Sequence, residues 1–565
     1  LKIDIGKVPF SRRGAYLAIS RDSMASGGGL WLRSLIRPEW GTGRKKVSDH
    51  LFRFLTATGE GVFTGNEPEC LPWELILNTE NGSARLHFSN GRTLAVSAEK
   101  TALVLEHDHD ELAGLVENTT PQSFRIYFPV IRHRAEIDVT HGQMRYDGDS
   151  KRIFILPQGD RAEFTIKACR ADLNREPDAD AHSDVESIRR DYENFAGCYG
   201  PDGGHSELAA YILWSTEYAP KGNITRRSNA ASKSLMNLVW SWDNCFNALG
   251  VEKADPGLAW SNLFLFFDLQ CGDGMLPDAV NPAIVVDWYT KPPIHGFAAR
   301  RLLEHGNTLP ETEMERLYSG LARWTEWWYN QPAFDGLACY RHPFDSGWDN
   351  ATCFDRGHTV ITPDLNAYLI IQQDVLCELA KKLGLAREAQ VWRERADALL
   401  CNLLERMWNG SEFVCIDAHG EAFRTDSLIR MMPVILGRRL PENILKALIN
   451  ELSQENHFLT GWGLATESVR SRLYDHRRGD PGKPNAYWRG PVWPPVIYLL
   501  VCGLKDAGET ELAGTVAKRY LHTVESNPGA MYENYDALTG EGNDDPSYTW
   551  TSAVYLLLKD LMQVF

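Results

Sequence analysis

No stretch of this 565-residue chain approaches the ~18 uninterrupted apolar residues that a membrane-spanning helix needs, so no membrane span is expected. No Lys/Arg stripe runs along it, and 59 Lys and Arg against 75 Asp and Glu leave a formal net charge of −16. Nucleic-acid binders draw most of their affinity from neutralising phosphates, so that class is set aside. HExxH, a Cys/His cluster and a complete calcium loop are all missing, and no metal site is expected. The acid-rich GEGNDDPSY carries oxygen ligands but reads as a solvated loop. There is no P-loop and no dinucleotide fingerprint, so no cofactor is expected. The 11 cysteines contain no CxxC and no tight grouping, the pattern of reduced thiols in a cytoplasmic protein. LKIDIGKVPFSRRG, at the start, has no apolar signal core, and a chain opening on Leu1 rather than an initiator methionine leaves open whether upstream residues were trimmed or left out.

What is present is aromatic. Phe, Trp and Tyr make up 11% of the chain, with 18 Trp, and hydrophobic residues reach 43%. Disorder is excluded by that composition, and the length calls for more than one domain. Indole rings fill cores, but they also stack on the C–H faces of sugars, and composition leaves both open. The first ~180 residues carry short alternating segments such as SARLHFS, SFRIYFPV and AEFTIKA between turn residues, the texture of an antiparallel β-sandwich. A polar segment, REPDADAHSDVES at 175–187, reads as a linker entering a helix over 181–204. From 205 to 565 the apolar spacing is helical, as in ETEMERLYSGLARWTEWWYN and TPDLNAYLIIQQDVLCELAKKLG. Roughly a dozen such helices suit either a ring of six pairs or an open array.

The loops between these helices are long and rich in Trp, Asp, Asn, Gly and Pro. Examples are SWDNCFNALG, GMLPDAVNP, KPPIHGFA, HPFDSGWDN, NAYWRGPVWPP and YENYDALTGEG. Loops on a rigid scaffold are where sites are built. Two carboxylates stand out, because cleaving a glycosidic bond needs one acid to protonate the leaving oxygen and a second to act on water or carbon. Asp349 and Glu533 both lie in aromatic, Gly-containing loops, where apolar walls raise the pKa of whichever must stay protonated. The plainer alternative for Asp349 is a turn or cap residue, and Asp345 is its local competitor.

Together these motifs resemble glycoside hydrolase family 63, within the clan it shares with trehalases; the resemblance covers about 230–560. It implies an (α/α)6 barrel behind the β-sandwich and an inverting, exo-acting α-glycosidase, an α-glucosidase by preference, that binds a small carbohydrate. Asp349 falls on the family's general acid and Glu533 on its general base, with Tyr535 helping to hold the water. Trp242, Asp243 and Phe246 in SWDNCF take substrate roles, as do Trp348, Trp488, Arg489 and Trp493. For Trp242 and Asp243 a core Trp beside a helix cap is an equal alternative. Lys291 and His295 flank the PPI turn; Lys291 stands where the family often has an amide, and a cation there suits an acidic aglycone. Asp345 stands where the family more often has Glu. Two further readings stay open: a trehalase or a hydrolase of glucosyl or mannosyl compatible solutes, and a carbohydrate-binding protein without catalysis. No motif bears on oligomeric state.

Overall fold

A computed structural model of the chain describes residues 1–21, 29–36, 50–58, 61–63, 67–79, 81–107, 114–129, 132–170, 182–200, 203–331, 336–476 and 486–563. Residues 175–181 of the expected linker lie outside them. The chain forms two compact units. One comprises Leu1–Val239, Val280–Ile284 and Asp545–Thr549; the other comprises Trp240–Ala279, Val285–Asp544 and Trp550–Phe565.

The first unit is built on two antiparallel sheets. Seven strands form one, in the spatial order Leu17–Arg21, Leu30–Ser34, His50–Thr58, Ala102–Glu106, Arg152–Leu156, Gln143–Asp147, with Gly61–Phe63 added to His50–Thr58. Eight form the other, running Leu115–Thr119, Ser123–Phe128, His133–His141, Arg161–Arg170, Thr93–Glu99, Ser83–Asn90, Leu75–Asn78, Glu69–Cys70. Alternation decides which side chains go inward: Phe124, Ile126 and Phe128 are buried while Arg125 is exposed. The sheets meet where Phe52 lies edge-on to Phe128, ring centroids 6.1 Å apart, and where Ser34 Oγ approaches His133 Nε2 at 2.6 Å.

Two helices complete this unit. α1 (Val185–Gly197) starts where the Asp184 carboxylate accepts from Ser187 N at 2.8 Å. α2 (His205–Ser215) is buried on nearly every side. Its Tyr211 hydroxyl donates to Pro9 O at 3.0 Å and accepts from Ser11 N at 3.1 Å. α2 therefore groups with the sheets, although its helical texture suggests membership of the domain that follows. The Asp545 carboxylate closes the unit, accepting from Leu235 N and Met236 N at 2.8 and 3.0 Å and from Ser232 Oγ at 3.0 Å.

Helices dominate the second unit: α3 (Asp243–Val251), α4 (Pro256–Asp268), α5 (His295–Glu304), α6 (Glu311–Tyr329), the single turn α7 (Pro343–Ser346), α8 (Pro363–Lys382), α9 (Ala386–Met407), α10 (Glu442–Leu452), α11 (Pro494–Ala507), α12 (Thr510–Glu525) and most of α13 (Thr549–Met562). Proline opens α4, α7, α8 and α11, where a missing N–H costs nothing. The helices fall into two kinds. α3, α8, α11 and the 3-10 segment Leu428–Arg439 are buried nearly all round; α6, α9, α10 and α12 bury one stripe. Side by side run α3, α5, α8, Leu428–Arg439 and α11, with α4 on α3, α9 on α8, α10 on the 3-10 segment and α12 on α11. At Gly503 the backbones of α11 and the 3-10 segment approach so closely that a Cβ would stand 2.6 Å from Ile435 Cα.

Candidate active site

Every candidate residue lies in the second unit. The acidic loop begins with α7. His342 Nδ1 accepts from Phe344 N at 3.1 Å, Pro343 fixes the first turn, and Gly347 ends it at φ +71°. A Cβ on Gly347 would stand 2.8 Å from the Trp242 ring, so glycine is needed for both the turn and the close approach. Ser346 Oγ accepts from Trp348 N at 2.9 Å and turns the Trp348 side chain inward. The two acids then separate. Asp345 is wholly buried and accepts from Thr290 N at 3.1 Å and Arg341 Nε at 3.0 Å, fastening α7 to the 289–291 turn. Asp349 keeps 27% of its side chain exposed, and its Oδ1 has no hydrogen-bond partner among the described residues.

Lys291 sits beside it. Its Nζ donates to Phe344 O at 2.8 Å and lies 3.3 Å from Asp278 Oδ1 and 3.9 Å from Asp349 Oδ1. Burial works to lower the Lys291 pKa, but Asp278, Asp349 and Asp243 outweigh it and leave it raised. Burial raises the Asp349 carboxyl, Lys291 pulls it down and Asp278 pushes it up, for a net value of about 6. Asp278 itself is raised by burial against the pull of Lys291. Asp243, buried at the start of α3, completes this charged group.

A second loop, Ala486–Pro491, connects the two carboxylates. Trp488 N donates to Asn350 Oδ1 at 2.8 Å, and Arg489 Nε donates to Asn350 O at 2.8 Å, so the residue after Asp349 is held at both ends. Arg489 also pairs with Asp355, Nη1 to Oδ2 at 3.1 Å. One residue upstream, the Tyr487 hydroxyl donates to Glu533 Oε1 at 2.8 Å. Glu533 is almost fully buried, and its carbonyl accepts from Trp550 Nε1 at 2.9 Å. Trp488 stacks on Trp493 at 3.9 Å, and Trp493 Nε1 donates to Tyr487 O at 2.8 Å. Trp242 packs against Trp488, Trp550 and Phe246, and Trp348 against Trp488.

The structure thus brings Trp242, Asp243, Phe246, Lys291, Trp348, Asp349, Trp488, Arg489, Trp493 and Glu533 into linked contacts, with several differences from expectation. Trp242, Phe246, Trp348, Trp488 and Trp493 are buried and packed on one another, so they form a floor rather than an open stacking face. The Lys291 ammonium is engaged by Asp278 and Phe344 rather than left for an aglycone. Arg489 holds backbone and Asp355. Tyr535 does not reach Glu533: its hydroxyl accepts from Tyr532 N at 3.2 Å, within its own loop, and Tyr487 stands on the carboxylate instead. The His295 ring packs against Phe266 and Phe267 of α4, with ring centroids 6.4 and 6.1 Å away, where burial lowers its pKa to about 3 and keeps it neutral.

Three residues escaped the sequence reading: Tyr487, Asp278 and Glu467. Tyr487 and Asp278 lie inside quoted motifs, NAYWRG and LPDAV. Glu467 is wholly buried and accepts from Thr352 Oγ1 at 2.7 Å and Ser471 Oγ at 2.8 Å. Its carboxyl is raised by burial to about 7. The signal for it was an isolated acid in GLATES, next to an apolar run. Among the described residues no group of three or more His, Cys, Asp and Glu is placed to hold a metal, and no helix is long and apolar enough to cross a membrane.

The model of the mannosylglycerate hydrolase MGH1-like glycoside hydrolase domain matches residues 236–551. The mannosylglycerate hydrolase of Rubrobacter radiotolerans is 25% identical over 409 residues, covering 56% of this chain and 89% of that protein. The glucosylglycerate hydrolase of Mycolicibacterium hassiacum is 22% identical over 447 residues, covering 62% of this chain and 96% of that protein. In fold, the crystal structure of the GH63 mannosylglycerate hydrolase from Thermus thermophilus in complex with glucose superposes with a TM-score of 0.53 at 23% identity, covering 62% of this chain and 98% of that one.

Proposed function

Since the chain belongs to the MGH1-like group of glycoside hydrolase family 63, and is therefore a glycoside hydrolase, we propose that it hydrolyses a small α-linked hexoside of the compatible-solute type, with inversion. The hexosylglycerates named for its relatives are the first substrates to try. The observation that carries this reading is the 486–491 loop, which holds Asn350 beside Asp349 with one residue and Glu533 with the residue before it. An α-glucosidase of broader range, the expectation from the motifs, uses the same two carboxylates. We take the paired helices to close as an (α/α)6 ring, which carries loops nearly two hundred residues apart to one rim.

Asp349 is the general acid. Burial keeps its proton on at mildly acid pH, and its exposed side gives access to the glycosidic oxygen. Glu533 is the general base, oriented by the Tyr487 hydroxyl. It takes a proton from water as that water attacks the anomeric carbon from the far face. The C–O bond breaks as the Asp349 proton passes to the leaving oxygen. Inversion requires the carboxyls to stand ~6.5–9.5 Å apart, with room for the water. The ten described cysteines are all free and seven are buried, which fits a reducing, cytoplasmic setting.

The test is a panel of mannosylglycerate, glucosylglycerate, trehalose and α-linked glucose disaccharides, followed by NMR that resolves the product anomer. A β-hexose released from one of the glycerates is expected. Asp349→Asn and Glu533→Gln should each lose ~10²–10⁴-fold in kcat. Release of the α-anomer, or full activity in either variant, would overturn the reading. Saturable binding without turnover by the wild type would favour a binding protein.

A further inference from the structure

We propose that Lys291, clamped by Asp278, is the electrostatic partner of Asp349, silent while Asp349 carries its proton and its counter-ion once that proton has gone to the leaving oxygen. The proposal rests on reading Asp349 as the general acid. It makes Lys291 a positioning residue for the acid step, distinct from a substrate contact.

The geometry is that of a fixed charge. One N–H of Lys291 is taken by Phe344 O at 2.8 Å, and Phe344 belongs to α7, the turn that carries the Asp349 loop. Asp278 Oδ1 lies 3.3 Å from the same ammonium. Lys291 and Asp278 side chains are 9% and 3% exposed, so solvent screens neither well. At 3.9 Å the Asp349 carboxyl is outside hydrogen-bond range but inside strong Coulomb range. The arrangement counts charges. With Asp349 protonated, Lys291 and Asp278 balance. With Asp349 ionised, the three carry one net negative charge, and Lys291 is the cation within reach of both acids. The surrounding groups are Asp243 at the start of α3, Asp345 with its own partner Arg341 on the α7 loop, and His342 at the cap of α7.

The chemistry balances without further groups. Asp349 gives its proton to the glycosidic oxygen as the C–O bond breaks, the resulting carboxylate faces Lys291, and solvent returns the proton. Burial pushes Asp349 up while Lys291 opposes it, and Asp278 adds to the rise, so the two partners of the ion pair act on Asp349 in opposite senses.

That opposition is the test. The alkaline limb of kcat/KM against pH is measured with mannosylglycerate or glucosylglycerate, whichever the wild type cleaves, and with the matching α-glycosyl fluoride, whose leaving group needs no proton. Lys291→Met should move the limb to higher pH by ~1–3 units. Asp278→Asn should move it to lower pH, and Lys291→Arg should leave it near the wild-type position. On the fluoride none of the three should show the limb. A merely structural pair would damage activity in both neutral variants without opposite limb shifts. Limbs that stay put, or that move in the same direction, overturn the proposal. If Lys291→Met does not fold, a lowered limb in Asp278→Asn with an unmoved one in Lys291→Arg supports it, and any other pair of results refutes it. A wild type inactive on every glycoside overturns the reading of the site, and this role with it.

Discussion

Glu467 offers the sharpest stability test. It is wholly buried, and its carboxyl is raised from 4.5 to about 7, chiefly by burial, with Asp426 adding to the rise and Arg489 and two hydroxyl donors opposing it. The sign follows from linkage. Below pH 4.5 the carboxyl is protonated in folded and unfolded chains alike and makes no difference. Between 4.5 and about 7 only the unfolded chain ionises, so folding stability drains away as pH rises. Above about 7 the loss is complete. At ~1.4 kcal/mol per pH unit of displacement, the full loss is roughly 3 kcal/mol. Glu467→Gln removes the titration and keeps the shape. Its amide oxygen can accept from one of Thr352 and Ser471, and its NH2 can donate to the other once that hydroxyl turns. The variant should therefore match the wild type near pH 5 and exceed it by about 2–3 kcal/mol at about pH 8. Paired urea titrations read by tryptophan fluorescence at the two pH values measure the difference. A difference that is the same at both, or a variant weaker at the higher pH, refutes the reasoning.

Three further outcomes are expected. Gly347→Ala forces an L residue into φ +71° at ~1–2 kcal/mol and drives its Cβ onto a Trp242 ring already hemmed by Trp488 and Trp550; kcat should fall by ~10²-fold as the Asp349 loop shifts, and a wild-type kcat would contradict this. Tyr487→Phe removes the hydroxyl from Glu533, a bond to a charged group worth ~1.5–3 kcal/mol, so kcat should drop about 10- to 100-fold with KM little changed; loss through KM alone would count against an orienting role. In the wild type, kcat/KM should decline above about pH 6, where Asp349 gives up its proton, and a pH–rate profile extending flat to about pH 8 would exclude it as the acid.

Local pattern carried much of the architecture. Alternation in SFRIYFPV and 3.6-residue spacing in TPDLNAYLII each reflect one face meeting one core, which short windows record. What windows cannot record is long-range partnership. The helix at His205–Ser215 looks like its successors, yet Tyr211 bonds Pro9 and Ser11, about two hundred residues back. Asp345 and Asp349 are the same residue type four positions apart. Only the left-handed turn at Gly347 sends one to Thr290 N and leaves the other partly open. The family resemblance gives Tyr535 as the companion of Glu533, whereas the hydroxyl that reaches it comes from Tyr487, 46 residues upstream. His295 looked polar beside its PPI turn, but α5 directs its ring into Phe266 and Phe267. Lys291 was recognisable as a cation in an unusual place; its buried neighbour Asp278 was visible only as one acid among 75 Asp and Glu residues.

The first compact unit borrows residues 545–549 from far downstream of its other segments, where Asp545 satisfies the amides of Leu235 and Met236 and Thr549 N donates to Ala231 O at 2.8 Å. On a ribosome, the β-rich portion emerges well before this closing strap has been made. Its early tertiary structure must therefore persist incomplete while more than three hundred residues are added, and a nascent chain stalled before that point should show these amides open to solvent exchange.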